Sequence, residues 1–175
     1  IRNVIIMIGD GMGPQQVGML TQYAKYAPGS TVPNRKAAIE TVLSEGTVAI
    51  VNNQPHGALA ADSAAAATQL ATGQLAGSEM IGANYMGESV ENIVEVAHRV
   101  GKAAGLVTDT RITHATPAGF AAHQANRESE NEIAVDLLES RVDVLMGGGL
   151  RNWVPEAINN RESSAYAALM QMTGA

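Results

Sequence analysis

The chain has 175 residues, of which 46% are hydrophobic and 16% are charged. This length is typical of one domain, and the composition suffices for a packed core rather than a disordered chain. A net charge of −6 disfavours nucleic acid as a partner, because there is no basic stripe to neutralise phosphates. No apolar run approaches the roughly 18 residues that span a bilayer. The lack of cysteine excludes disulfides and thiolate zinc sites.

Short apolar runs predict four buried strands, at 4–8, 47–51, 104–108 and 142–146. The first run, Val-Ile-Ile-Met-Ile, ends at Gly9, as expected of a strand that is buried on both faces. Helical patterns lie between the runs, and no hairpin signal is present. This order predicts an α/β fold with a mostly parallel sheet, in which ligand chemistry gathers at the carboxyl ends of the strands.

The predicted helices are recognised by apolar residues at steps of three and four, or by alanine content. One of them opens with Ser129 and Glu132, which is a capping-box pattern. No linker or internal repeat interrupts the chain. The five predicted helical segments are 35–44, 64–72, 88–101, 129–140 and 162–172.

The stretch ALAADSAAAATQLATG places Asp62 and Ser63 at the head of an alanine-rich helix. One interpretation is that either residue is an N-cap, because both residue types satisfy the amides of a first turn. The other interpretation is that the carboxylate and the hydroxyl carry chemistry. The local sequence favours the cap, and the surrounding motifs decide between the two.

The glycine loop IGDGMGPQQVG does not fit the dinucleotide-binding pattern. Counting from Gly9, the pattern requires glycine where Pro14 stands; counting from Gly11, it requires glycine where Gln16 stands. What remains is Asp10, a carboxylate at the end of a predicted strand. It is either a turn residue or a ligand for a hard cation.

A further cluster lies in HATPAGFAAHQANR, at 114–127. His114 and Thr116 offer a nitrogen and a hydroxyl, and Arg127 offers a fork that suits phosphate oxygens. The structural alternative makes Thr116 an N-cap, Pro117 the first helical residue and Arg127 a residue near the helix end. A helix of that length spans roughly 16 Å, so spacing alone does not bring Thr116 and Arg127 to one phosphate.

The other histidines are predicted to be structural. His98 lies on the polar face of the 88–101 helix, His56 follows a proline in a loop, and His123 falls in an alanine-rich segment that is predicted to be helical.

Together these motifs resemble the alkaline phosphatase family. The stretch NVIIMIGDGMG is similar to its opening strand and metal loop, and DSAAAATQLATG is similar to its nucleophile motif. THATPAGFAAHQANR resembles its magnesium and phosphate-arginine segment, and DVLMGGGLRNW resembles a further stretch. The His-Ala-Thr-Pro version occurs in animal and some bacterial members. The resemblance implies a three-layer fold, with helices on both faces of a mostly parallel central sheet, and identifies 1–175 as the N-terminal part of one such domain.

The resemblance also implies roles for individual residues. Ser63 would be the zinc-bound nucleophile that becomes phosphoserine. Asp10 would bridge one zinc and the neighbouring magnesium. Thr116 would be a magnesium ligand, with His114 next to that metal through water.

Arg127 would clamp the phosphate oxygens, and Asp62 would orient Arg127. Metals and Arg127 would then attract an anion at short range, although the overall charge of the chain repels it.

Two zinc ions and one magnesium are the cofactors that the resemblance implies. The implied ligands are phosphate monoesters and inorganic phosphate, and the implied setting is a homodimer in the periplasm or outside the cell. The remaining metal ligands, including a late histidine, are expected downstream, since no histidine follows His123. The alternatives are another hydrolase of the superfamily, such as a phosphodiesterase, or an inactive phosphate-binding fragment. Diesterases commonly carry threonine where this chain has Ser63, and the sulfatase motif is not found.

We expect residues 1–175 alone to be inactive and to bind zinc weakly, because they hold only one end of the implied metal cluster. Zinc titration of this polypeptide by calorimetry checks the expectation. Tight binding of two zinc ions would contradict it.

Overall fold

The described residues are 2–154. The computed structural model divides the chain into two units, Ile1–Asn52 and Asn53–Ala175, which are taken in turn below. Within the described part, no helix is both long and apolar enough to cross a membrane. The helix predicted at 162–172 lies outside the described residues.

Two helices provide the regular structure of the first unit. Helix α1 (Pro14–Tyr26) begins with a proline at its first position, where the missing N–H costs nothing. The Gln16 side chain accepts a hydrogen bond from the Gly13 amide at 3.0 Å. The sequence patterns did not predict α1, which buries only Ala24 and therefore has a weak apolar period. Helix α2 (Ala38–Glu45) confirms the helix predicted at 35–44, with a later start.

The strands predicted at 4–8 and 47–51 were wrong. Among residues 2–154, neither segment pairs with a strand. Their apolar side chains are exposed, Met7 at 92% and Ile50 at 98%. An apolar run indicates a preference for burial, but a strand also needs a neighbour that satisfies its backbone N–H and C=O groups. The run itself does not specify that neighbour.

The second unit contains a parallel pair of strands, β1 (Gly105–Arg111) and β2 (Val144–Gly148). Gly105 lies opposite Val144 in the register. The pair confirms the strands predicted at 104–108 and 142–146 and the parallel α/β class. Parallel strands require a long crossover connection. Here the connection runs from the end of β1 to the start of β2, and it contains helices and the 114–127 segment.

Helices α3 (Ser63–Thr72) and α6 (Glu130–Glu139) confirm the predictions at 64–72 and 129–140. The capping box predicted at the start of α6 was wrong, because the Ser129 side chain makes no cap bond. The backbone of Ser129 has φ −73° and ψ 52°, outside the extended region that a cap residue typically adopts.

Helix α4 (Ile93–Arg99) is shorter than the helix predicted at 88–101. The Asn92 side chain accepts hydrogen bonds from the amides of Val94 and Glu95, each at 3.0 Å. This cap sets the beginning of α4, so the apolar period extends further along the sequence than the helix does.

Helix α5 (Ala115–Ala118) is a single turn, and no helix runs on to Arg127. His114 is the N-cap, so the alternative that placed Thr116 there was wrong. The chain leaves the helix at Gly119, which is packed against α3. A methyl group at Gly119 would lie 3.0 Å from Cβ of Ala67, so glycine and alanine allow the two helices to approach closely.

The core of the second unit surrounds these elements. Its larger buried side chains include Ile81, Phe120, Ile133 and Leu137, and alanines of α3 and α5 pack among them. The small side chains of α3 therefore have a packing role.

We expect Leu137→Ala to lower the free energy of unfolding by about 2–5 kcal/mol, because it opens a cavity at a side chain that is 1% exposed. The neighbouring Leu138 is 64% exposed, so Leu138→Ala is the matched control, with an effect below about 1 kcal/mol. Denaturant unfolding of both variants checks the difference. Equal losses would contradict this assignment of the core face of α6.

Candidate active site

The start of helix α3 holds the first predicted site residues. Asp62 is the N-cap: its Oδ2 accepts from the Ala64 amide at 2.9 Å and its Oδ1 from the Ala65 amide at 3.4 Å. Ser63 is the first residue of the helix and is half-buried. The cap interpretation therefore holds for Asp62, while Ser63 lies at the positive end of the helix dipole.

Arg127 lies beside this helix start. Its Nη1 is 3.4 Å from Oδ2 of Asp62, and the two side chains are 19% and 22% exposed. Its Nη2 is 3.1 Å from Nε2 of His114. The structure thus brings Asp62, His114 and Arg127 together. The separation of about 16 Å expected between Thr116 and Arg127 along one helix does not apply, because the helix ends before Gly119.

The contact with Arg127 defines the state of the His114 ring. A guanidinium only donates hydrogen bonds, so Nε2 accepts in this contact, and a neutral ring has no second acceptor nitrogen for the Thr116 amide. The second contact, from the Thr116 amide to Nδ1, is long at 3.4 Å and is the weaker of the two.

Sequence reasoning missed Glu79, whose backbone joins the two charged residues. Its N–H donates to Oδ1 of Asp62 at 3.1 Å, and its carbonyl accepts from the Arg127 amide at 2.8 Å. Glu79 has a φ of 64°, in the left-handed region that favours glycine. Glycines at 77 and 82 flank this residue, but glycines in a sequence indicate at most a turn and do not specify distant partners.

Asp10 belongs to the first unit, where it occupies a turn. The Met12 amide donates to the Gly9 carbonyl at 3.1 Å, and Gly11 has a φ of 67°. Asp10 is exposed and satisfies the turn interpretation. Its predicted role as a cation ligand stays a prediction.

The donors fit the implied metals in type but not in number. The carboxylate of Asp10 and the hydroxyl of Thr116 are the oxygen ligands that magnesium prefers. Within residues 2–154, however, no group of three or more His, Cys, Asp and Glu side chains is arranged to hold a metal ion.

The remaining histidines have structural contacts, as predicted. His123 was expected in a helix but lies in an irregular segment, because α5 has already ended. Their polar or ring partners are the Gly82 carbonyl at 2.7 Å and Glu95 at 3.2 Å for His123, Asp143 at 3.4 Å for His98, and the stacked ring of Tyr85 for His56.

Comparison with known families identifies the chain. The family model described as alkaline phosphatase matches residues 1–169. The chain belongs to the alkaline phosphatase family. This result agrees with the resemblance carried by the glycine loop, the nucleophile motif and the arginine segment.

Individual relatives support the same conclusion. Alkaline phosphatase 4 of Bacillus subtilis is 35% identical over 155 residues, which cover 85% of this chain and 33% of the relative. The chain therefore spans about a third of the length of the relatives it matches. The crystal structure of Thermus thermophilus alkaline phosphatase superposes with a TM-score of 0.75 and 28% identity, over 93% of this chain and 33% of that one.

A third relative contains a metal. A His-to-Asp mutant of the alkaline phosphatase from the Antarctic bacterium TAB5, with Mg bound in the M3 site, has a TM-score of 0.66 and 27% identity. The match covers 87% of this chain and 41% of that one. These structures share the alkaline phosphatase fold with this family member.

In this alkaline phosphatase family member, a second carboxylate, that of Glu130, makes several contacts at the end of the arginine segment. Glu130 is 13% exposed and lies 2.8 Å from Nη2 of Arg111. It also accepts from the Thr113 hydroxyl and the Asn152 amide, each at 2.7 Å. Burial alone would raise the pKa of Glu130, but the bonds from Arg111, Thr113 and Asn152 outweigh it and lower the pKa to about 2.

We expect the free energy of unfolding of Glu130→Gln to fall less than that of the wild type as the pH is lowered from about 5 to 2. The folded pKa of about 2 lies below the usual 4.5, so the ionised carboxylate stabilises the fold fully above about pH 5. That contribution, up to about 3 kcal/mol, is lost as the pH falls toward 2. Denaturant unfolding across this pH range checks the effect.

The matched control is Glu132→Gln, at an exposed position in the first turn of the same helix. We expect its profile to follow the wild type. If the free energy of unfolding of Glu130→Gln decreased at low pH as steeply as that of the wild type, the stabilising role assigned to ionised Glu130 would be wrong.

Proposed function

We propose that the protein containing this chain hydrolyses phosphate monoesters through a phosphoserine intermediate at a two-zinc, one-magnesium site. Because the chain spans about a third of its relatives, the activity belongs to the whole protein. The family membership supports the reaction class, and the arrangement of Asp62, Ser63 and Arg127 supports the site.

One observation carries the proposal. A single carboxylate, that of Asp62, caps the helix that begins at Ser63 and lies 3.4 Å from the Arg127 guanidinium. The start of the helix that carries Ser63 and the guanidinium of Arg127 therefore both contact the Asp62 carboxylate. This combination suits a phosphoryl group, which carries negative charge on several oxygens.

Ser63 is the proposed nucleophile. Its Oγ forms a bond to phosphorus as the bond from phosphorus to the leaving oxygen breaks, and the alcohol departs with a proton. Water then displaces Ser63 and releases inorganic phosphate. A serine hydroxyl is a weak nucleophile at its ordinary pKa, so it requires activation.

Arg127 is the proposed phosphate clamp. A guanidinium has five N–H donors, and the contacts with Asp62 and His114 engage two of them. The remaining capacity suits a bidentate bond to two phosphate oxygens. Asp62 fixes the orientation of Arg127 and neutralises part of its charge, while the α3 dipole adds positive potential.

The metals supply the activated serine alkoxide and charge stabilisation at the leaving oxygen when they are bound. Among the residues of this chain, Asp10 would hold zinc and magnesium, Ser63 would hold zinc, and Thr116 would hold magnesium. His114 would stand beside the magnesium through water. The other ligands would come from downstream residues.

The resemblance also supports a homodimer in the periplasm or outside the cell. We include both in the proposal as properties of the whole protein.

We expect the full-length protein to hydrolyse p-nitrophenyl phosphate at alkaline pH and to lose this activity with a chelator. Ser63→Ala should lower kcat on the order of a thousandfold or more, because it removes the attacking oxygen. Ser140→Ala is the control, since that serine follows the last residue of α6 and donates to the Leu137 carbonyl at 2.8 Å. Its kcat should equal that of the wild type.

Full activity in Ser63→Ala would eliminate the nucleophile assignment. Faster hydrolysis of bis(p-nitrophenyl) phosphate than of the monoester would favour the phosphodiesterase alternative. Phosphate binding without turnover would favour a phosphate-binding role.

A further inference from the structure

One loop connects the nucleophile helix to the arginine segment. We name residues 77–82 the clamp loop. Within this loop, the backbone N–H of Glu79 donates to Oδ1 of Asp62 at 3.1 Å. The backbone carbonyl of Glu79 accepts from the Arg127 amide at 2.8 Å. The relative position of the two charged residues therefore depends on where this loop lies.

A buried threonine of α3 fixes the clamp loop. The Thr68 side chain is fully buried, and its hydroxyl donates to the Met80 carbonyl at 3.0 Å. The same oxygen accepts from the Gly82 amide at 2.9 Å. One hydroxyl thus satisfies a backbone acceptor and a backbone donor of the loop.

The other side of the clamp loop is fixed to the arginine segment. Ile81 and Gln124 exchange two backbone hydrogen bonds, each 2.9 Å long. Gly82 has a φ of 54°, and a side chain there would collide with the carbonyl of Ala122. The loop is therefore held between α3 and the residues that precede Arg127.

The conformation of Glu79 shows that these surroundings hold the loop firmly. A left-handed φ of 64° is unfavourable for glutamate and persists only where neighbouring contacts over-determine it. Those contacts come from Thr68, Gln124, Asp62 and Arg127.

We propose that Thr68 is a positioning residue for phosphate binding: its hydroxyl holds the clamp loop, and the Glu79 backbone then sets Asp62 and Arg127 in the geometry that receives phosphate. The inference rests on the proposed function of the site. Thr68 is buried within α3 and acts only through the loop.

The test measures inhibition of p-nitrophenyl phosphate hydrolysis by inorganic phosphate in the full-length protein. Thr68→Val retains the shape of the side chain and removes the hydroxyl, which leaves the Met80 carbonyl and the Gly82 amide without their partner. We expect its inhibition constant to rise about tenfold. Thr68→Ser keeps a hydroxyl and should restore the wild-type value to within about twofold.

The matched control is Thr72→Val, one turn further along α3. The Thr72 hydroxyl bonds the Thr68 carbonyl at 2.7 Å within the helix. Loss of this bond should lower stability without changing the inhibition constant.

A double-mutant cycle separates positioning from general destabilisation. In an Arg127→Ala background, Thr68→Val should change the inhibition constant by less than about twofold, since the group it positions is gone. An equal rise in both backgrounds, or an unchanged constant in Thr68→Val alone, overturns the proposal.

Hydrogen exchange of the wild-type protein provides a measurement that needs neither a folded Thr68→Val variant nor activity. The amides of Glu79, Gly82 and Arg127 should exchange slowly and at similar rates, as one unit. Rapid exchange of Glu79 would overturn the proposal. If the protein is inactive, the proposed function fails, while this result still shows whether the clamp loop is held as one unit.

Discussion

The described site depends on the hydrogen bonds and the ion pair made by the Asp62 carboxylate. It accepts from the amides of Ala64, Ala65 and Glu79 and lies 3.4 Å from Arg127. One side chain thereby caps the helix that begins with Ser63, accepts from the clamp loop and contacts the guanidinium of Arg127. A carboxylate can do this because its two oxygens offer about four acceptor positions. An uncharged residue of similar shape would keep the cap and weaken the pair with Arg127.

Close packing makes this arrangement possible. Gly119 meets Ala67 across the contact between α5 and α3, where a methyl group would lie 3.0 Å from the alanine Cβ. Larger side chains would separate the helices and move His114 away from Arg127. The alanine-rich run thus serves the core and the site together.

Arg127 also supplies local positive charge in a chain whose net charge is −6, and charge at short range outweighs the distant field.

A second carboxylate, that of Glu130, fixes the opposite side of the arginine segment. It bonds the end of β1 through Arg111 and the residue before His114 through the Thr113 hydroxyl. The segment between Thr113 and Glu130 is therefore held at both ends by one ionised group. Asp62, the clamp loop and Glu130 therefore each restrict the arginine segment.

The sequence by itself determined the features that depend on near neighbours. Helices α3 and α6, the parallel strands β1 and β2, the family and the cap at Asp62 follow from periodicity, from motifs or from contacts within a few residues. Tertiary structure decided the rest: the contact of Arg127 with His114, the role of Glu79, and the exposed course of 4–8. Each of these depends on a partner that is distant in the sequence. Local pattern sets what a segment prefers to bury or bond, but the partner is chosen when the whole chain packs.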